Sequence, residues 1–179
     1  MAPDNSAGTN AQSPQLPMHR CGQVASYGRL TRTGRATQNP RGTGRKKRRG
    51  SRVWERDHVP SKAALFKRAE KMYGLKKPSA LYSCVTGKLE DRGMAIVIPR
   101  KTHRGFSKTC GKRNTKKLIK DDAATKASLD AAIKRDVAAI LKALKGSPCQ
   151  SEYRKAAKKL KDGAEIDKMI KKAVEECGG

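Results

Sequence analysis

Between Asp4 and Glu55 the chain carries no acidic residue, and Gly, Pro, Ser, Thr, Asn and Gln dominate that stretch. A segment of this kind holds too little apolar surface to offset the entropy of ordering it, so residues 1–52 are expected to form a disordered basic arm. The arm ends in the run "RGTGRKKRRGSR", Arg41 to Arg52, which suits salt-dependent contact with a phosphate backbone, a targeting signal or a solvated linker. The foldable part then begins at Val53-Trp54, where the only tryptophan appears.

From there the pattern alternates between helix and strand signals. "PSKAALFKRAEKMYG" sets Leu65, Ala69, Met72 and Tyr73 on one helical face, with Ser61 as N-cap and Gly74 as the stop. "ALYSCVTG" and "GMAIVIP" are apolar, β-branched runs bounded by Gly and Pro, and "KLEDRG" between them reads as a hairpin turn. Two strands are therefore expected, the second ended by Pro99. Farther on, Leu129, Ile133, Val137, Ile140, Leu141 and Leu144 recur at three and four residues up to Gly146, which predicts a long amphipathic helix. "SPCQ" suggests a capping box with Ser147 as cap, Pro148 in the first helical position and Gln150 reaching back. A helix through Leu160 and another carrying Ile166, Met169, Ile170 and Val174 complete the chain. The expected architecture is a small α+β domain over residues 53–120, with a helical extension over 121–179.

Charge narrows the function. The 42 Lys and Arg against 16 Asp and Glu give a net charge of +26, a field that attracts polyanions, and nucleic acid leads the candidate partners. No apolar run approaches membrane-spanning length, so no membrane span is expected. Five cysteines are scattered, odd in number and never spaced C-x-x-C, which argues against a disulfide framework and against a Cys-ligated zinc site. The first residues lack a charged region followed by an apolar core, so no secretory signal is readable and the protein is expected to be cytoplasmic as made. "TCGKRN" lacks the full phosphate-loop pattern, which leaves an ATPase without support.

The candidate chemistry rests on two histidines. Asp57-His58 precedes "VPSKAAL", and His103 follows "AIVIP" in "RKTHRGFSKT". On extended backbone, neighbouring side chains diverge, so Asp57 can face a metal while His58 faces a water aimed at phosphorus. One carboxylate oxygen from Asp57 and one imidazole from His103 would hold a divalent ion with positions left open for water and phosphate oxygens. His58, titrating near neutrality, would take the proton from the attacking water. Arg100, Lys101 and Arg104 flank His103, and Arg56 flanks the Asp-His pair; these cations would hold substrate phosphates, with Arg104 stabilising the transition state. Lys112 and Arg113 extend the nucleic-acid-binding set, and Asn114 is either a supporting polar residue or the N-cap of the helix beginning at "TKKL".

"RDHVPSKAAL" with "AIVIPRKTHRGFSKTCGKRN" resembles the Asp-His and His motifs of the HNH/endonuclease VII nucleases, in particular the nuclease domains at the ends of bacterial polymorphic toxins. The resemblance covers about Val53 to Asn114. It implies a ββα-metal-type core, with Asp57 as first metal ligand, His58 as general base and His103 as second metal ligand. It also implies an endonuclease with a divalent ion, Mg²⁺ foremost and Zn²⁺, Mn²⁺ or Ni²⁺ as alternatives. The implied substrate is DNA in preference to RNA. An antibacterial effector of this type implies delivery into target cells by a non-Sec route and an acidic immunity partner. The rival reading from charge alone is a non-enzymatic, ribosome- or nucleoid-associated nucleic-acid-binding protein. The few aromatic residues argue against a base-stacking single-strand module.

Overall fold

The structure is a computed structural model that describes residues 20–33 and 54–179; most of the expected disordered arm, 1–19 and 34–53, lies outside the described residues. Within them the chain is α+β, with eight α-helices and one three-stranded antiparallel sheet. Part of the arm departs from expectation, because Val24–Ser26 is a strand (β1) and Tyr27–Thr33 a helix (α1). β1 pairs with Met94–Pro99 (β3), and Trp54–His58 (β2) pairs with the other edge of β3, giving the order β1-β3-β2. The run "AIVI" is apolar throughout because β3 is central and covered on both faces.

The faces of β3 divide the molecule. Ile96 and Ile98 pack against Ile140, Leu144 and Tyr153, whereas Ala95 and Val97 pack with Leu30, Tyr27 and Trp54. Opposed residues of an antiparallel pair share a face, and β2 aligns Glu55 with Ile98 and Asp57 with Ile96. Arg56 and His58 align with Val97 and Ala95, on the opposite side of the sheet.

Lys62–Tyr73 (α2) follows its sequence signals: the Ser61 side chain accepts from the Ala64 amide, and Gly74 adopts the left-handed conformation that ends the helix. Tyr73, expected on the packed face, is instead largely exposed. The expected first strand and hairpin turn are a single helix, Ala80–Arg92 (α3). Ser79 caps it, and Leu81, Val85 and Leu89 recur every fourth residue against the core that α2 also joins. Packing of that stripe outweighs the β-branched and aromatic composition that favoured a strand. As a result β2 and β3 are joined through two helices rather than by a hairpin.

Arg100–Phe106 (α4) starts directly after Pro99, and a 3₁₀ turn at Gly111–Arg113 leads to Lys116–Asp122 (α5). The N-cap of α5 is Thr115, whose hydroxyl accepts from the Leu118 amide, and not Asn114. Lys126–Ala143 (α6) is the expected long helix, followed by Cys149–Ala157 (α7) and Gly163–Glu175 (α8). The capping box expected at "SPCQ" does not form. Pro148 occupies the cap position without a side-chain bond, the Ser147 hydroxyl is buried without a partner among the described residues, and Gln150 turns to donate to the Leu141 carbonyl. A capping box forms instead at Asp162 and Glu165, ahead of α8. α7 ends three residues short of Leu160, yet Leu160 packs on the same cluster as Tyr153.

The cysteines also correct the sequence expectation. Cys21 pairs with Cys149 and Cys84 with Cys177, at Cα separations of 5.6 and 6.0 Å, and Cys110 is free. Partners 128 and 93 residues apart leave no local spacing to read. Among the described residues no helix is long and apolar enough to cross a membrane.

Candidate active site

Alternation along β2 points Glu55 and Asp57 to the same face, and α4 carries His103 over them. The imidazole is held between two carboxylates. His103 Nδ1 lies 2.7 Å from Glu55 Oε2, and His103 Nε2 lies 3.2 Å from Asp57 Oδ1. Arg104 Nε donates to Glu55 Oε1 at 2.9 Å, and Arg100 Nε is 3.3 Å from the same oxygen. Ser107, the residue after α4, donates its hydroxyl to Asp57 Oδ1 at 3.2 Å. Arg113 braces this turn from below the helix end, donating from Nε to the Ser107 carbonyl at 2.8 Å and from a terminal nitrogen to the Arg104 carbonyl.

Charge follows this geometry. Burial alone would lower the His103 pKa, but the hydrogen bonds and charges of Asp57 and Glu55 outweigh it and hold the imidazole above its ordinary value. Burial would likewise raise Glu55, yet His103 and Arg104 hold it below the usual carboxylate range. Asp57 is only 2 % exposed, and its Oδ2 has no hydrogen-bond partner among the described residues. Two more orphaned atoms are buried behind it, Asp136 Oδ2 on α6 and the Tyr153 hydroxyl on α7. Burial pushes Asp136 up to about 6, against the opposing pull of Arg135, with Asp57 adding to the rise. Tyr153 is also pushed up, chiefly by burial and then by the two carboxylates.

A divalent ion of the kind the motifs imply fits the Asp57 and His103 pair. Two ligands about 2.1 Å from one ion and at a right angle stand about 3.0 Å apart. The 3.2 Å between His103 Nε2 and Asp57 Oδ1 matches that separation. Glu55, bonded to Nδ1, has the outer-carboxylate arrangement common behind metal-bound histidines; Nε2 itself contacts Asp57 as a hydrogen-bond donor, so an ion would take the place of the Nε2 proton. The unpartnered Asp57 Oδ2 leaves further coordinating capacity. No group of three or more His, Cys, Asp or Glu is gathered tightly enough to hold an ion among the described residues, so water and substrate oxygens would complete the shell.

The other sequence candidates fall in different places. His58 lies across the sheet, its ring stacked on Tyr27 with centroids 4.2 Å apart and both nitrogens buried without hydrogen-bond partners among the described residues. Burial, followed by the nearby charge of Lys62, pushes its pKa down to about 4. Arg56 lies on the same side, its guanidinium 4.2 Å from the Tyr27 ring centroid. Arg100 and Arg104 are at the site; Lys101 and Lys112 are exposed on the segments that follow β3. Asn114 is partly buried with its Oδ1 unpartnered. Three contributors were missed from sequence. The Glu-x-Asp spacing on a strand was a usable signal for Glu55, whereas Ser107 and Asp136 carry no local mark. No protein-family model matches the chain, and neither a curated protein nor a solved structure does.

Proposed function

We propose that the protein is a divalent-metal-dependent nuclease acting at the Glu55, Asp57 and His103 site. The observation that carries this reading is the pairing of His103 Nε2 with Asp57 Oδ1 at 3.2 Å while Glu55 holds Nδ1. Asp57 on β2 and His103 on α4, the helix directly after the neighbouring strand β3, meet as the motif resemblance implies, although α2 and α3 separate the two strands in the chain. Asp57 and His103 would hold the ion, which supplies Lewis acidity and an activated water to a phosphodiester. Glu55 orients the imidazole, and Ser107 orients the Asp57 carboxylate from the other side. Arg100 and Arg104 sit where a substrate phosphate would meet them, sharing their charge between Glu55 and the anion. His58 is left outside the reaction, because a neutral imidazole enclosed on the opposite face cannot reach a water at Asp57.

The step from nuclease to antibacterial effector with an acidic immunity partner rests on the motif resemblance alone. The rival is a nucleic-acid-binding protein in which the triad is a structural ion-pair network, favoured by the engagement of both His103 nitrogens. Incubation with plasmid DNA and with RNA, in Mg²⁺, Mn²⁺ or Zn²⁺ and in chelator, separates the two. The nuclease reading expects cleavage that chelator, Asp57→Asn and His103→Ala each abolish. Cleavage indifferent to all three would contradict it, and binding without cleavage would favour the rival.

A further inference from the structure

α4 ends at Phe106, whose side chain is 55 % exposed, the barest large apolar group among the described residues. A single exposed phenylalanine is ordinary on a protein surface. This one stands three residues after His103, so the two side chains are neighbours on the helix. Gly105 beside Phe106 also borders open space: apart from its own chain neighbours and helix backbone, nothing among the described residues lies within 4 Å of where a side chain there would begin. The helix end that carries it is fixed in place. The Ser107 amide donates to the His103 carbonyl, Ser107 Oγ bonds Asp57, and Arg113 clasps the Arg104 and Ser107 carbonyls. The surrounding chain is uniformly cationic, since Arg100 to Lys120 holds nine Lys or Arg and no Asp or Glu.

A bare aromatic face at the centre of an acid-free cationic segment matches a ligand that is a polyanion with flat apolar groups. A phosphate backbone alone would use the cations and leave the ring idle. An unpaired nucleobase uses both, because every base offers a π-face to stack while its flanking phosphates meet Lys and Arg. In a duplex the base faces are already stacked on one another, and a side chain reaches them only at the cost of unstacking a step.

Building on the nuclease reading, we propose that Phe106 is a stacking platform for one unpaired base beside the phosphate met by Arg100 and Arg104 at the Asp57 and His103 site, which makes single-stranded nucleic acid the substrate class. One platform at the site differs from the row of aromatics that a general single-strand module uses, and the low aromatic content is compatible with it.

The test is binding in chelator, by fluorescence anisotropy, of a labelled oligothymidylate and of an abasic strand of equal length, each as DNA and as RNA. Wild type is expected to bind the base-bearing strand roughly tenfold more tightly than the abasic one. Phe106→Ala is expected to bring the ratio close to one, and Phe106→Trp to restore it. Phe106 is exposed, so these substitutions leave the core untouched. Equal binding of the two strands by wild type, or an undiminished ratio in Phe106→Ala, would overturn the proposal. Because chelator is present, the outcome is independent of cleavage. A wild type that shows the ratio but cuts nothing when metal is restored would end the nuclease reading alone, and one that cuts without the ratio would end this proposal alone.

Discussion

At His103 one imidazole is shared by two carboxylates, and each has a separate consequence. Glu55 bonds Nδ1 and places negative charge beside the ring, so Glu55→Gln should lower the His103 pKa in metal-free protein, read from the imidazole resonances in an NMR titration. If the site takes a divalent ion as proposed, the same substitution should weaken that affinity about 10- to 100-fold, as loss of an outer carboxylate does at metal-bound histidines. His58 has the opposite character. Its folded pKa of about 4 lies below the ordinary 6.5, so the unfolded chain takes up a proton first as pH falls. Stability from this group is present in full above pH 6.5 and is lost as pH falls toward 4, to the extent of roughly 3 kcal/mol. His58→Phe, which keeps a ring against Tyr27, should flatten that part of the decline in urea unfolding measured at pH 7 and pH 4.5. An adjacent acid and histidine were legible in the sequence, as was a distant second histidine. The two-residue period of a strand puts Asp57 and His58 on opposite sides of the sheet, which separates the pair expected to share one site, and the direction in which His58 turns depends on Tyr27 of α1, in a segment whose composition looked unfoldable.

Among the elements, the helices with a long apolar stripe and a clear cap were readable, and α2 and α6 stand close to their expected bounds. α3 was not, because Tyr82, Val85 and Thr86 favour extended backbone while the Leu81, Val85 and Leu89 spacing favours a helix, and burial against α2 and α8 decided between them. The close seat of α8 on α6 gives an element-scale prediction. At the start of α8, a side chain on Gly163 would run into the Lys126 backbone carbonyl, and the Gly163 amide donates to Asp130 of α6 at 2.8 Å. Gly163→Ala must push the two helices apart and should destabilise the fold by about 1–3 kcal/mol in chemical denaturation. An unchanged unfolding midpoint would show that the contact is looser than described.

Across the whole molecule, two long-range cysteine pairs tie the N-terminal strand segment to α7 and α3 to the chain end. Scattered cysteines gave no spacing from which to read them, because the fold and not the sequence brings these partners together. Cys84→Ala combined with Cys177→Ala opens a link spanning 93 residues and should cost about 2–5 kcal/mol, measured by unfolding under oxidising conditions. The fold also joins what the sequence divided: β1 comes from the basic arm, and Tyr153 of the helical extension packs behind β3 at the site. In the proposed function the charge of +26 would draw nucleic acid to that assembly, and the chemistry would depend on the Asp57 and His103 pair. The most direct measurement is a calorimetric titration of Mn²⁺ into the metal-free full chain and its variants, with no substrate present. One ion bound per chain is expected in wild type and in His58→Phe, and none measurable in Asp57→Asn or His103→Ala. No binding by wild type, or binding undiminished in those two variants, would contradict that expectation.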